Sequence, residues 1–125
     1  MRLFVTALAL TLAIAPSVYG AGMPDPNRKI QFDLEQLDEQ GLYGPVDGKR
    51  LLSYEFCIPQ DPAVIEQVMA IDPSLIMYLR SPGRIGCETG EVLAIGDTHQ
   101  PHYREILNSL ASLPEIEQIV QFFGE

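Results

Sequence analysis

The sequence predicts a mixed fold of the α+β class, in which strands and helices share one core. Three observations lead to this prediction. Residues 51–58 alternate so that Leu52, Tyr54, Phe56 and Ile58 share one side, as in a half-buried strand. Residues 64–71 and 103–110 repeat their apolar positions at helical spacing instead. Pro, Gly and Asp separate these segments, as residues that form turns do.

The first 20 residues have the pattern of a signal peptide. Arg2 gives a positive start, and residues 3–15 are an uncharged apolar run. A helix of these 13 residues, at about 1.5 Å per residue, is too short for the roughly 30 Å hydrocarbon core, so no stable membrane anchor is expected. A buried core helix is the alternative, but the run lacks a polar face. Val18 and Gly20 place cleavage after Gly20, which predicts a periplasmic or extracellular protein.

The remaining chain suits one acidic domain. Removal of 20 of the 125 residues leaves 105, enough for a single core. Residues 21–41 predict an acidic, flexible tail, and residues 42–125 a single α+β domain. Loss of Arg2 removes one positive charge, so the formal net charge of −9 becomes −10. Such a surface repels phosphate and anionic lipid, which disfavours nucleic acid and membranes as partners and leaves cations or a basic protein.

The first half of the domain predicts a strand followed by a helix. Residues 51–58 form the first strand. Asp61 offers a side-chain cap, and Pro62 suits the first helical position, where its missing N–H costs nothing. The Pro after Asp72 ends this helix. The apolar positions of the helix lie on one face and are Val64, Ile65, Val68 and Ile71.

The second half predicts two strands, a helix and a closing strand. Residues 75–79 and 91–96 are short apolar runs between turn sequences. Residues 98–101 lead into a second helix that Pro114 breaks. Residues 116–123 predict the closing strand, because they are rich in β-branched and aromatic side chains. A helix there is the alternative, since four of their apolar side chains also recur at helical spacing.

This order of elements resembles the ferredoxin-like fold. The resemblance covers residues 50–123 and implies a four-stranded antiparallel sheet of order 4-1-3-2 with two helices on one face. Cys57 and Cys87, the only two cysteines, give an independent check. That order places the end of the first strand beside the start of the third, within reach of a disulfide. Paired cysteines in an exported chain favour a bond, so we predict a Cys57–Cys87 disulfide.

Asp97, His99 and His102 form the most suggestive polar cluster, because they include both histidines of the chain. Two imidazoles and a carboxylate at this spacing suit a divalent metal such as zinc or copper. In the alternative interpretation, Asp97 or Thr98 caps the second helix and the histidines lie on its exposed first turn. No other cofactor is predicted.

Arg80 and Arg84, in a turn with Gly83 and Gly86, predict a candidate anion site built from guanidinium groups and free backbone N–H groups. A solvated turn with ordinary surface ion pairs is the alternative. The sequence contains neither a G-x-S-x-G motif nor a phosphate-binding loop, so no catalytic residue is predicted.

These features favour a small exported binding or inhibitory module that works through a sheet face, an edge or a loop. One alternative is a metal-binding protein that uses Asp97, His99 and His102. A second is an enzyme of unrecognised type, which would need a pocket of roughly 300 Å³ that gathers Arg84, a histidine or Tyr54. A charge of this sign also fits a partner with basic groups.

Export is directly testable. We expect the exported protein to begin at Ala21, because Val18 and Gly20 occupy the positions that a signal peptidase reads. Intact-mass measurement of the exported protein checks this expectation, with the uncleaved chain as the reference mass. Retention of residues 1–20 in the exported form would contradict it.

Overall fold

The structure is a computed structural model that describes residues 26–124. The predicted signal peptide, residues 1–20, lies outside the described residues. None of the helices within residues 26–124 has the length and apolar character that a membrane span requires.

Within residues 26–124, six strands and two α-helices make up the fold. Two short 3₁₀ helices, Pro26–Lys29 and Leu34–Gln36, precede them. The strands and helices in chain order are β1 (Leu42–Tyr43), β2 (Arg50–Leu51), β3 (Ser53–Pro59), α1 (Pro62–Ile71), β4 (Ile76–Tyr78), β5 (Glu91–Asp97), α2 (Tyr103–Ala111) and β6 (Val120–Phe122).

The strands form two antiparallel sheets. The larger has the order β4-β5-β3-β6, and β1 and β2 pair separately. The α+β class and a four-stranded antiparallel sheet are therefore confirmed. The arrangement as a whole differs from the predicted single sheet of four strands, because the chain that leads into β3 forms a second ribbon. The ferredoxin-like assignment therefore stays a prediction.

Both helices pack on one face of the large sheet. The alternation predicted for residues 51–58 holds, since Leu52, Tyr54, Phe56 and Ile58 are all buried. This inner face, with Val92 and Ala94 of β5, meets apolar side chains from both helices, which are Val64, Val68, Leu107 and Leu110. Burial of these side chains supplies the main stabilising free energy of the fold.

The two helices begin differently. Asp61 caps α1 as predicted, because its Oδ1 accepts a hydrogen bond from the N–H of Ala63 at 3.0 Å. Helix α2 begins at Tyr103, and its N-cap position is held by His102 with φ of 60° and no side-chain hydrogen bond. Capping of α2 by Asp97 or Thr98 is therefore wrong. The Thr98 hydroxyl instead donates to the carbonyl of Gly41 at 2.6 Å.

Residues 26–41 belong to the folded domain, although the sequence predicts a tail over residues 21–41. Ile30 forms a parallel bridge with Ile119, and the N–H of Gln31 donates to the Ile119 carbonyl at 2.8 Å. Leu37 is buried in the core. Gly41 has φ of +76°, and a Cβ there would lie 1.8 Å from the Thr98 carbonyl oxygen, so only glycine fits. The core therefore begins before residue 42.

The closing segment is a strand, as predicted, but a shorter one. Only Val120–Phe122 pair with β3. Ile116 and Ile119 are fully buried before the strand begins. The N–H of Ile119 donates to the Lys29 carbonyl at 2.8 Å, so this part of the segment pairs with the N-terminal residues and not with the sheet.

The predicted disulfide joins Cys57 of β3 to Cys87, which lies between β4 and β5. The two Cα atoms are 5.5 Å apart, and 30 residues separate the cysteines along the chain. The bond therefore closes a loop that contains α1 and β4. A loop of this length restrains the unfolded chain and stabilises the native state by about 3 to 4 kcal/mol.

Replacement of both cysteines by serine is expected to lower the free energy of unfolding by about 2 to 4 kcal/mol, because the unfolded chain regains the freedom of that loop. Urea denaturation of the double variant and the parent measures the difference. The reduced parent is the matched control and should behave like the variant. Free thiols in the native exported protein, or equal stability of variant and parent, would contradict the bond.

Candidate functional site

The large sheet has a second face that the two helices do not cover. Register places Ile76, Ile95, Glu55 and Val120 in one row across β4, β5, β3 and β6. We call this the outer face, and its central side chains are Glu55, Cys57, Ile76, Tyr78, Leu93, Ile95, Val120 and Phe122. Apart from Glu55, these central side chains are apolar, aromatic or part of the disulfide, and the polar side chains of Ser53, Glu91 and Asp97 lie at the ends of the same face.

Strand β4 lies at one edge of the sheet with its outer side chains in solvent. Ile76 is 58% exposed and Tyr78 is 40% exposed, whereas Met77 between them packs against the core. Leu79, directly after the strand, is also exposed. Within the described chain, β4 pairs with β5 alone. Its other edge therefore offers unpaired backbone groups beside exposed apolar side chains.

Glu55 lies at the centre of the outer face and is fully buried. Neither of its carboxylate oxygens has a hydrogen-bond partner among the described residues. Residues 79–90, which we call the covering segment, lie over it. A Cβ on Gly83 would be 2.5 Å from Oε1 of Glu55 and 2.7 Å from Cδ1 of Leu93. The contact depends on glycine at position 83, where φ is +66°.

Burial is the main influence on the Glu55 carboxyl. Loss of hydration raises its pKa above the ordinary value of 4.5. The nearby backbone N–H groups of Ile85 and Arg84 and the charge of Arg84 oppose this rise in part. They do so without a hydrogen bond of good geometry to the carboxylate. Glu55 is therefore an acidic group whose neutral form suits its surroundings.

The sequence does not identify Glu55 as a site residue. Strand alternation places it opposite the core, where a charged side chain is ordinary. The one indication in the sequence that Glu55 could be buried comes from the covering segment. Cys57 is two residues from Glu55, and the disulfide to Cys87 draws a glycine-containing turn over this part of the strand.

An acidic cleft of about 230 Å³ lies beside the disulfide. Its carboxylates are Glu88, Glu91, Glu115 and Glu117. The two disulfide sulfurs lie within 4.8 Å of a Glu91 carboxylate oxygen, a spacing that would suit a metal. Because a metal binds the thiolate form, sulfurs joined in a disulfide are poor ligands. The group therefore does not make a metal site while the bond is intact.

The predicted metal ligands lie at the opposite end of the sheet. Asp97 accepts a hydrogen bond from the backbone N–H of His99 at 2.9 Å, and the His99 Nδ1 lies 2.9 Å from the Gln40 carbonyl oxygen. His102 Nδ1 lies 3.1 Å from a carboxylate oxygen of Glu105. In residues 26–124, the ligand atoms of Asp97, His99 and His102 do not all lie within 4.8 Å of one another. The described geometry brings no three of these ligands together.

The two predicted anion-binding arginines are both exposed, and the cleft beside Arg80 does not include Arg84. This cleft has a volume of about 310 Å³, and Arg80 lines it together with Glu88 and Glu91. Arg84 instead lies near Glu55. Carboxylates beside each arginine make this region a poor anion site.

A buried polar junction connects α1, β4 and the segment that follows β5. The Tyr54 hydroxyl donates to Oδ2 of Asp72 at 2.5 Å, and the Ser74 hydroxyl donates to Oδ1 of Asp72 at 2.7 Å. The Gln100 side-chain amide donates to Oδ1 of Asp72 at 3.0 Å. Burial, together with the negative charge of Asp72, raises the pKa of Tyr54 well above its usual range, so its hydroxyl stays a donor.

A shallow cleft of about 480 Å³ lies next to this junction. Its walls are Glu39, Gln40, His99, Gln100 and Pro101. Its volume exceeds the roughly 300 Å³ that the enzyme alternative requires, and His99 lines it, but Tyr54 and Arg84 do not. The junction itself has its polar groups paired and positions the chain around it.

Comparison of the chain with protein-family models, with curated proteins and with solved structures gives no match. Conclusions about its activity therefore depend on its own geometry.

Substitution of Tyr54 by Phe is expected to lower the free energy of unfolding by about 1 to 3 kcal/mol, because it leaves the buried Oδ2 of Asp72 without its donor. Chemical denaturation measures this change. Tyr78→Phe is the matched control, since it removes the same hydroxyl from a half-exposed side chain. Equal stability of the two variants would contradict the proposed role of the junction.

Proposed function

We propose that this protein is an exported, non-catalytic binding module that holds an extended, cationic segment of a partner protein along β4. The open edge of β4, with Ile76 and Tyr78 exposed beside it, is the observation that supports this proposal most directly. An edge strand with apolar side chains at alternate positions can add a strand from a partner.

When a partner strand is added to a sheet edge, backbone hydrogen bonds provide the affinity and side-chain contacts provide the selectivity. Proteins commonly protect exposed edges with Lys or Pro, or with a strand bulge. Strand β4 reads Ile-Met-Tyr and has neither residue, so what protects this edge is the short length of the strand, three residues. A segment paired with it would place alternate side chains over Ile76, Tyr78 and the neighbouring part of the outer face.

Charge supports a cationic partner. The chain carries 17 acidic and 8 basic residues, for a formal net charge of −9. Glu88 and Glu91 lie in the cleft that begins at Leu79, immediately after β4. Lys or Arg side chains on a partner strand would reach these carboxylates and would also speed its approach.

Export of the protein and a ferredoxin-like fold are part of the same proposal. A disulfide between Cys57 and Cys87 is compatible with an exported protein, as expected from residues 1–20. We also propose the ferredoxin-like class for the domain, with β1 and β2 as an added ribbon. Metal binding through Asp97, His99 and His102 remains the alternative, without a preformed three-ligand site to favour it.

Ile76→Lys is expected to weaken partner binding at least tenfold, because it removes apolar contact area and places a positive charge opposite a cationic segment. Affinity capture from the exported fraction at micromolar concentration identifies the partner, and titration of that purified partner gives the Kd. Val46→Lys is the matched control, because Val46 is also apolar and exposed but lies in the turn between β1 and β2.

Two results would support the proposal. Val46→Lys should bind the partner as the parent does while Ile76→Lys binds it weakly, and the bound partner segment should be rich in Lys or Arg. Capture of nothing at micromolar concentration would contradict the binding function. Equal binding by both variants would contradict the assignment to the β4 edge.

A further inference from the structure

Glu55 has no structural role that its burial would explain. It lies between Ile95 and Val120 in an apolar row, with neither oxygen bonded to a donor in the described residues. An ionised carboxylate in such a position loses its hydration, and the N–H groups of Arg84 and Ile85 and the charge of Arg84 offset this loss only in part. An apolar side chain would fill the same row at lower free energy.

The charges around Glu55 do not neutralise it. The groups that face it from β5 and β6 are Ile95, Leu93 and Val120, which carry no charge. From the covering segment, Arg84 is the charged group that acts on it. Within residues 26–124, no ion pair within 4.0 Å includes Glu55. Ionisation of Glu55 would therefore leave an unpaired charge beneath the segment.

The covering segment is attached at its ends and weakly held in its middle. The disulfide fixes Cys87 to β3. Between Pro82 and Cys87 the backbone hydrogen bonds are internal, since the N–H groups of Gly86 and Cys87 both donate to the Pro82 carbonyl. The Gly83 N–H donates a hydrogen bond to the Ser81 hydroxyl oxygen at 3.2 Å. Apart from the approach of the Arg84 and Ile85 N–H groups to Glu55, no described hydrogen bond joins residues 81–86 to the sheet, so this turn can lift as a unit.

We propose that Glu55 is a gated contact for a cationic side chain: its ionisation lifts residues 81–86 from the sheet and presents the carboxylate on the outer face. The covered state holds neutral Glu55 under Gly83. The uncovered state holds the anion in water, at the centre of an apolar surface, where a guanidinium or ammonium group can pair with it. That this guanidinium or ammonium group belongs to a partner protein rests on the proposed function. The lifting of residues 81–86 does not depend on that function.

The direction of the pH dependence follows from the raised pKa. Because the covered state favours the protonated carboxyl, its contribution to stability is complete below the ordinary value of 4.5. That contribution is lost as the pH rises from there through the pKa of the covered state. The segment is therefore seated in acid and released towards neutral pH.

Nuclear magnetic resonance on the full exported protein, without partner, tests the gate. The Glu55 Cδ resonance is followed against pH, and amide protection factors are measured for Arg84 and Ile85. We expect protection at these two amides to fall at least tenfold as Glu55 ionises. In Glu55→Gln the protection should stay high across the same range, while Glu66→Gln, which removes an exposed carboxyl from α1, should behave like the parent.

N-acetylargininamide serves as the probe for the cationic contact. It should shift the Glu55 Cδ resonance above the titration midpoint and not below it, and the effect should persist in Glu66→Gln. The proposal is overturned if protection at residues 84 and 85 is unchanged while Glu55 ionises, if Glu55→Gln keeps the pH dependence of the parent, or if the probe leaves the ionised Glu55 unshifted. Glu55→Met replaces Glu55→Gln should the latter fail to fold. Because no partner is present, these outcomes are separate from failure of the β4 binding function.

Discussion

The antiparallel pairing of β3 with β5 is the constraint on which the rest of the structure depends. Seven residue pairs, from Ser53 with Asp97 to Pro59 with Glu91, fix which side chains face the helices and which form the outer face. A shift of one residue would exchange the two faces, placing Glu55 in the core and Tyr54 outside. The same register sets the histidine-containing loop and the disulfide at opposite ends of the sheet, so these two regions cannot form one site.

Much of this framework can be predicted from local patterns in the sequence. Alternation over residues 51–58 predicts β3, and Asp61 with Pro62 predicts the start of α1, because both signals act between near neighbours. The disulfide follows from there being two cysteines and from a strand order that places them together. The burial of Ile30 could not be predicted in this way. It lies in a polar segment, and its partner Ile119 is 89 positions away, so only the assembled fold shows the contact.

The candidate site was less predictable than the fold, because it depends on contacts between segments. Asp97, His99 and His102 are close in sequence, but their side chains have separate partners in the fold, since His99 Nδ1 lies beside the Gln40 carbonyl and His102 Nδ1 beside Glu105. Glu55 presents the opposite case. Its position in a strand predicts an ordinary solvated carboxylate, and its burial arises from a turn almost 30 residues later whose only suitable residue at the contact is Gly83.

The disulfide and Glu55 act on the covering segment in opposite directions. Hydrogen bonds inside the turn do not hold it to the sheet, so the Cys57–Cys87 bond keeps it near while leaving its middle free to lift. Without the bond, ionisation of Glu55 would release the segment over a much larger range of positions. Without Glu55, an apolar side chain would keep the segment seated at every pH. A covered outer face that responds to protonation therefore requires both features, which lie on the same strand two residues apart.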